Sequence, residues 1–362
     1  MSKKVVHPGV ILSKMLDERE VSQRDFASMI DVAYPIVNNI LKGTRNINVN
    51  FAISLEAAGY GKASDWLSVQ MEYSLLDARK DETVKKKNEA IKTWSKIKEI
   101  VPLNYFIRQE VGIQSSEDLD KVYTIYGVKN FKSLEERIND FNPTYFRKSS
   151  KFTENKNNIV AWSLMAKFKA KQFEVKKFSR QSEGKLLAEL KKCFYEGGDV
   201  IEKSTNILGE FGIKFFTLDR PSQTPVDGKS FMCGSNPTIV LSLKYKRLDN
   251  FAFTLFHEIG HVFEHLTNPN RPEFKEEEFF INNNKNTEIV EFEANTYATN
   301  NLIDPNKFND FILLNDDFSD DVIFDFAKKN EVHPAIIWGR ICHEFPEYYR
   351  KRSSVRALNI IS

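Results

Sequence analysis

Cysteine is scarce in this chain: there are three, Cys193, Cys233 and Cys342, far apart and in no C-x-x-C pair. That pattern excludes a disulfide framework and a thiolate zinc site, and it suits a reducing compartment. Net charge is nearly absent too, with 52 Lys and Arg against 50 Asp and Glu. The whole-chain balance therefore gives no sign of a nucleic-acid or membrane partner. No run approaches the roughly 18 apolar residues of a membrane span. The opening MSKKVVHPGV has no apolar core after its lysines, so no signal peptide is expected. The expected location is the cytoplasm. At 362 residues the chain is too long for one small core, and two or three domains are expected.

Apolar spacing divides the chain. Residues 1–77 read as short helices, with faces marked by Leu12 and Leu16, by Phe26 and Ile30, and by Val37, Ile40 and Leu41. Gly43 stands where a C-cap glycine belongs. Asn48 or Asn50, then Ser64, are candidate caps of two further helices. Residues 78–205 read as a helical middle region. Within it, 146–192 carries 13 Lys and Arg against 4 Glu, most simply a solvated basic face. From 206 to 350 the character changes. GIKFFTL (212–218) and TIVLSL (238–243) are short β-rich runs separated by a loop. Asp249 is a candidate N-cap for the helix that follows. The segment 273–293 is acidic, and a helix is expected from about 287 to 301.

FTLFHEIGHVFEHL (253–266) holds three of the six histidines, four residues apart. Residues i and i+4 share a helix face, so His257 and His261 can hold one zinc ion. Glu258 between them can take a proton from the attacking water. Leu255, Phe256, Ile259, Val262 and Phe263 form an apolar stripe that leaves the histidines on the opposite side. Zinc needs a third protein ligand. In EFEAN (291–295), Glu291 and Asn295 share a helix face, so Glu291 could ligate zinc while Asn295 orients a histidine. Glu288 and Glu293 read as solvated charges. His265 is eight residues from His257, about 12 Å along a helix. It is therefore expected at the cleft rim and not on the metal. His333, before Pro334, reads either as a helix cap or as a donor toward an oxyanion.

These residues carry a resemblance. HEIGH, preceded by YKRLDNFAFTLF and followed by EFEANTYATNNLIDP, with NEVHPAIIWGRI in the tail, resembles the ImmA/IrrE family of zinc-dependent metallopeptidases over roughly residues 200–345. The resemblance implies an α+β zincin-like domain with a small sheet. It also implies a His-His-Glu site completed by Glu291, and metal-assisted peptide hydrolysis with Glu258 as general base. The stop after the second helix, Leu302-Ile303-Asp304-Pro305, departs mildly from the family's pattern and touches no ligand.

SQRDFASMIDVAYPIVNNILKGTRNI (22–47) has the rhythm of a helix-turn-helix. Ser22 caps the first helix, Ala27 is small at the crossing, and Asp31-Val32 makes the turn. Tyr34 to Leu41 would be the recognition helix in the major groove. Tyr34, Pro35, Asn38 and Asn39 would face bases and Gln23 a phosphate. Charge adds little, since residues 1–80 hold ten basic and nine acidic side chains. HPGVIL, SQRDFA, ILKG, ISLEAA and DWLSVQMEY resemble HigA-type, lambda-repressor-like (XRE) domains over about residues 5–76. Pro35 is unusual for such a helix, yet a proline fits the first helical turn.

The fold expected is multidomain: an all-α helix-turn-helix domain, a helical middle region, and the metallopeptidase-like domain. The function expected is a DNA-binding regulator with a zinc endopeptidase. The resemblance implies that it cleaves a repressor or antitoxin-like protein in a stress, prophage or toxin–antitoxin circuit. Its expected partners are operator DNA, that protein substrate and a second copy in a homodimer, with no membrane. The alternative is a non-proteolytic antitoxin-type repressor whose zinc domain senses or docks.

Overall fold

The computed structural model describes residues 5–140, 155–243, 245–274 and 284–361, with backbone alone over 284–288. It is mostly helical, 67%, with one small mixed sheet. The chain divides into two compact units, residues 1–93 and 94–362. Parts of the basic 146–192 and acidic 273–293 stretches, and the Glu288 side chain, lie outside the described residues.

The first unit opens with α1 (Pro8–Glu18), α2 (Gln23–Met29), α3 (Tyr34–Leu41), α4 (Val49–Ala57) and α5 (Ala63–Ala78). Their starts follow capping chemistry. His7 accepts the Gly9 amide with Pro8 in the first turn, Ser22 accepts the Asp25 amide, and Asn48 accepts the Phe51 amide. The expected Ser64 cap is corrected: α5 begins at Ala63, after Lys62, with no side-chain cap. The core joins Leu12, Leu16, Phe26, Val37, Ile40 and Leu55. Asp31 takes a positive φ of 53° in the turn between α2 and α3, and Gly43 one of 73° just after α3. Gly9 marks the closest approach, because a Cβ there would stand 1.7 Å from the Ile40 carbonyl oxygen.

The division at 93/94 falls within α6 (Glu82–Ile100). The second unit continues with α7 (Leu103–Arg108), α8 (Leu119–Tyr126), α9 (Phe131–Asp140), α10 (Lys156–Ala170), α11 (Glu183–Glu196) and α12 (Val200–Glu210). The sheet follows: β1 (Lys214–Thr217), β2 (Gly228–Cys233) and β3 (Asn236–Leu241). β3 is central, parallel to β1 and antiparallel to β2. β2 was not expected from sequence; the loop read between the two β-rich runs contains an edge strand.

Side chains alternate across a strand, and here both faces are covered. Phe215, Ile239 and Leu241 enter one core, while Phe216, Phe231 and Val240 enter another. The second core is completed by Ile97, Phe106, Tyr126, Trp162 and Met165. The helices between 94 and 170 therefore cover one face of the sheet. On its other face lies α13 (Leu248–Gly260), followed by a π-helical turn over His261–Leu266. α14 (Asn284–Leu302), α15 (Pro305–Leu314), α16 (Asp320–Asn330) and α17 (Pro334–Glu344) complete the unit. The N-cap of α13 is Arg247, not Asp249. Asp249 instead sits buried in the first turn, paired with Arg247 and accepting the Asn250 amide. No helix among the described residues is long and apolar enough to cross a membrane.

Glycine to alanine usually stabilises a helix interior. Gly9→Ala should do the opposite and cost about 1–3 kcal/mol by overpacking against Ile40. Chemical denaturation of the full chain measures it, and an unchanged or raised midpoint would mean that α1 and α3 can part without cost.

Candidate metal centre and helix-turn-helix face

α13 carries His257, and His261 opens the π-helical turn four residues later. Its apolar stripe is buried: Leu255, Phe256 and Ile259 are fully inaccessible. The polar side faces α14. Gly260 and Ala294 allow this. A Cβ on Gly260 would meet the Ala294 Cα at 3.2 Å and the Tyr297 Cβ at 3.1 Å. Only small residues permit backbones this close, and the approach brings Glu291 to the histidines.

The three side chains converge. His257 Nε2 and His261 Nε2 are 3.0 Å apart, and each lies 3.3 Å from a Glu291 carboxylate oxygen. Among the described residues these are the group whose ligand atoms cluster within 4.8 Å. A tetrahedral ion about 2.0–2.1 Å from each ligand needs ligand atoms roughly 3.3 Å apart. The donor set also fits. Glu291 Oε1 is buried and, despite His261 at 3.3 Å, has no hydrogen bond of good geometry. A cation would satisfy it.

The supporting hydrogen bonds point the same way. His257 Nδ1 lies 3.0 Å from Asn295 Oδ1. If that oxygen accepts, the ring's proton is on Nδ1 and Nε2 is bare toward the centre. Asn295 is thus the partner of the His257 ring nitrogen that points away from the cluster. His265 was expected at the rim, and it is buried, 2% exposed. Its Nδ1 lies 3.1 Å from His261 Nδ1 and its Nε2 is 2.8 Å from Glu293 Oε2. Glu293 is not merely a solvated charge either, because Arg271 donates to it at 2.6 Å. The sequence signal for His265 was available in its four-residue spacing from His261, but Glu293 lies on a different helix and gave none.

Glu258 is buried at 3% exposure. Ser230 Oγ on β2 donates to its Oε2 at 2.5 Å, and a Cβ on Gly228 would stand 2.5 Å from its Oε1. The unexpected strand therefore forms the wall against this carboxylate. Burial raises the Glu258 pKa, and the nearby histidines and Ser230 only partly offset it. Burial pulls His261 down, but Glu291 and Glu258 outweigh it and the net shift is upward. Burial alone would raise Glu291, yet the two histidines that face it outweigh burial and hold it far below the carboxylate range. Burial and His261 lower His265 to about 4. A bound divalent cation would be the largest charge in this group.

His333 N-caps α17, its Nδ1 accepting the Ala335 amide at 3.1 Å. Its side-chain hydrogen bond goes to that cap and not to the metal cluster, and burial lowers its pKa. Of its two sequence readings, the cap is the one this geometry describes. A cavity of about 450 Å³ is lined in part by Phe253, Thr299, Ile336, Tyr349 and Asn295, and of these Asn295 contacts His257.

In the first unit, α3 begins after Ala33 with Pro35 in its first turn, where no backbone donor is lost to the helix. Tyr34, Pro35 and Asn39 are exposed, and Gln23 and Asn38 are half-buried. The Arg24 guanidinium sits 5.6 Å from the Tyr34 ring centroid. Val37, Ile40 and Leu41 take the opposite, buried face. On α3, Tyr34, Pro35 and Asn39 therefore face solvent, and Asn38 stands half-buried at the edge of that face.

The IrrE N-terminal-like domain family (Peptidase_M78) matches residues 208–336. An uncharacterised HTH-type transcriptional regulator of Escherichia coli (strain K12), YddM, is 33% identical over 73 residues, 20% of this chain and 78% of that protein. A Pseudomonas aeruginosa protein solved with its 28-bp operator DNA is 32% identical, covering 24% of this chain and 91% of that one, with a TM-score of 0.21. The Pseudomonas aeruginosa antitoxin HigA, solved with the higBA promoter, is 32% identical, covering 24% and 95%, with a TM-score of 0.23.

The cluster makes a direct prediction. Purified protein should carry one zinc per chain by elemental analysis, and His257→Ala and Glu291→Ala should lose it. Full retention of metal in either variant would mean that the ion is held elsewhere.

Proposed function

Because the chain belongs to the HTH-type transcriptional regulators through its N-terminal region and carries an IrrE N-terminal-like domain, we propose that it is a DNA-binding regulator with a zinc endopeptidase. The observation that carries the enzymatic half is the convergence of His257, His261 and Glu291 around a buried Glu258. In this reading the working parts are a helix-turn-helix domain over 1–77, a middle region over 78–205 and the peptidase domain over 206–350. The expected place of action is the cytoplasm. The protein substrate would be a repressor or antitoxin-like protein of a stress, prophage or toxin–antitoxin circuit.

His257, His261 and Glu291 would hold the zinc, which supplies Lewis acidity toward the scissile carbonyl and the attacking water. Glu258 takes a proton from that water as oxygen bonds to the carbonyl carbon. It then returns the proton to the amide nitrogen as the C–N bond breaks, leaving a carboxyl and an amine. Burial raises its carboxyl, and a raised pKa makes a carboxylate a stronger base. Ser230 holds it from the strand and Gly228 leaves it room. β2 is an edge strand, suited to pair with an extended peptide. Asn295 keeps His257 oriented.

On the DNA side, Tyr34, Pro35, Asn38 and Asn39 would meet base edges in the major groove and Gln23 a phosphate. Pairing of two copies would match a two-fold operator. A second reading, a non-proteolytic repressor whose zinc domain senses or docks, shares this DNA face and differs only in the chemistry of Glu258.

Two experiments test these parts. Glu258→Gln should keep its zinc and lower cleavage of the protein substrate by about 100- to 10,000-fold. Undiminished proteolysis would remove Glu258 from the mechanism, and a wild-type chain that binds zinc but cleaves nothing would favour the second reading. Footprinting on the gene's own upstream DNA should show protection that Asn38→Ala with Asn39→Ala weakens. An absence of protection by the wild type would make the first unit a protein-binding module.

A further inference from the structure

We infer that His265, Glu293 and Arg271 form a hydrogen-bonded chain that sets the tautomer of His261 and so maintains metal affinity. This inference rests on the metal-centre reading above. It assigns three residues that lie outside the ligand set, and it follows from proton accounting along measured contacts. Arg271 Nη1 donates to Glu293 Oε2 at 2.6 Å. That oxygen, on an ionised carboxylate, can only accept. The His265 Nε2 that lies 2.8 Å from it must therefore carry a proton. A neutral His265 then has a bare Nδ1, which can only accept. The His261 Nδ1 at 3.1 Å must supply the proton. This leaves His261 Nε2 bare and aimed at Glu291 and His257, the form required of a metal ligand.

Each link is held in place. His265 is buried, and the Phe274 ring packs edge-on against it at 5.3 Å. The Arg271 guanidinium lies 4.6 Å from the same Phe274 ring. Arg271 and Phe274 belong to the segment after the π-helical turn, which is thus tied to the metal centre through α14. The arrangement parallels the Asn295 contact on His257, so both histidine ligands have a partner on the ring nitrogen that faces away from the metal. Partners of this kind are typically worth about 10–100-fold in metal affinity.

The test is zinc affinity of the full chain, measured by competition with a chelator of known strength. His265→Ala and His265→Leu should bind zinc about 10–100-fold more weakly than wild type. His265→Gln should recover most of the loss, since a side-chain amide can accept from His261 and donate to Glu293. Leu fills the space without hydrogen bonds, so a Leu variant as tight as wild type would overturn the inference. A Gln variant as weak as Leu would also overturn it, by showing that shape alone matters. Glu293→Ala, at a half-exposed position, should weaken binding in the same direction even if the buried variants fold poorly. Unchanged affinity there would count against the chain. If wild-type protein takes up no zinc, the metal-centre reading falls and this inference falls with it. If wild type binds zinc and the variants match it, only this inference fails.

Discussion

The close approach of two helices is the constraint on which the candidate metal centre depends. Gly260 lies between its two candidate histidine ligands' turns, and α14 passes against it at Ala294. A larger residue at either place would separate the backbones. Glu291 would then withdraw from the histidines, which its carboxylate reaches at 3.3 Å. Tyr297 seals the same contact and is itself held, its hydroxyl donating to Glu183 at 2.7 Å. The site is therefore a property of a packed helix pair. Packed interiors tolerate little change of volume, which is why Gly260 matters as much as the residues that would touch an ion.

A second dependence runs through the sheet. Over Gly228–Phe231, β2 presents its small residues to α13 and a phenylalanine to the opposite core. Gly228 and Ser230 leave room for the Glu258 carboxylate, while Phe231 fills the core shared with the helices of 94–170. That division lets one short edge strand support a buried acid on one side and a hydrophobic core on the other. It also shows that the helical middle region is structural support for the sheet, because Trp162, Met165 and Phe106 pack in that core.

The electrostatics of the centre follow from the same crowding. Three histidines and three carboxylates share a small, mostly buried volume. Burial disfavours every charge there, and each charged form persists only where a partner offsets that cost. Glu291 remains ionised because two imidazoles face it. Glu258 has weaker compensation and shifts upward. The supporting contacts on the remaining ring nitrogens then decide which histidine atoms are free to ligate.

The sequence by itself was enough to locate the two histidines, the glutamate between them and the helix that follows, because helical periodicity puts i and i+4 together whatever the rest of the chain does. It also located α3 to the residue and its outward polar face, since capping and apolar spacing are local. Three features needed the tertiary structure. β2 was hidden because a strand chosen to make room for Glu258 has glycine, lysine and serine where strand-forming residues would signal it. The burial of His265 was hidden because its partner, Glu293, lies on another helix, and spacing along one helix says nothing of that. The capping of α13 and α5 differed from expectation because a buried Asp249 found its partner in Arg247, and α5 starts without a side-chain cap. Local periodicity wrote the two candidate histidine ligands into the chain; the contact between helices, which no short stretch encodes, brought Glu291 and the supporting side chains to them.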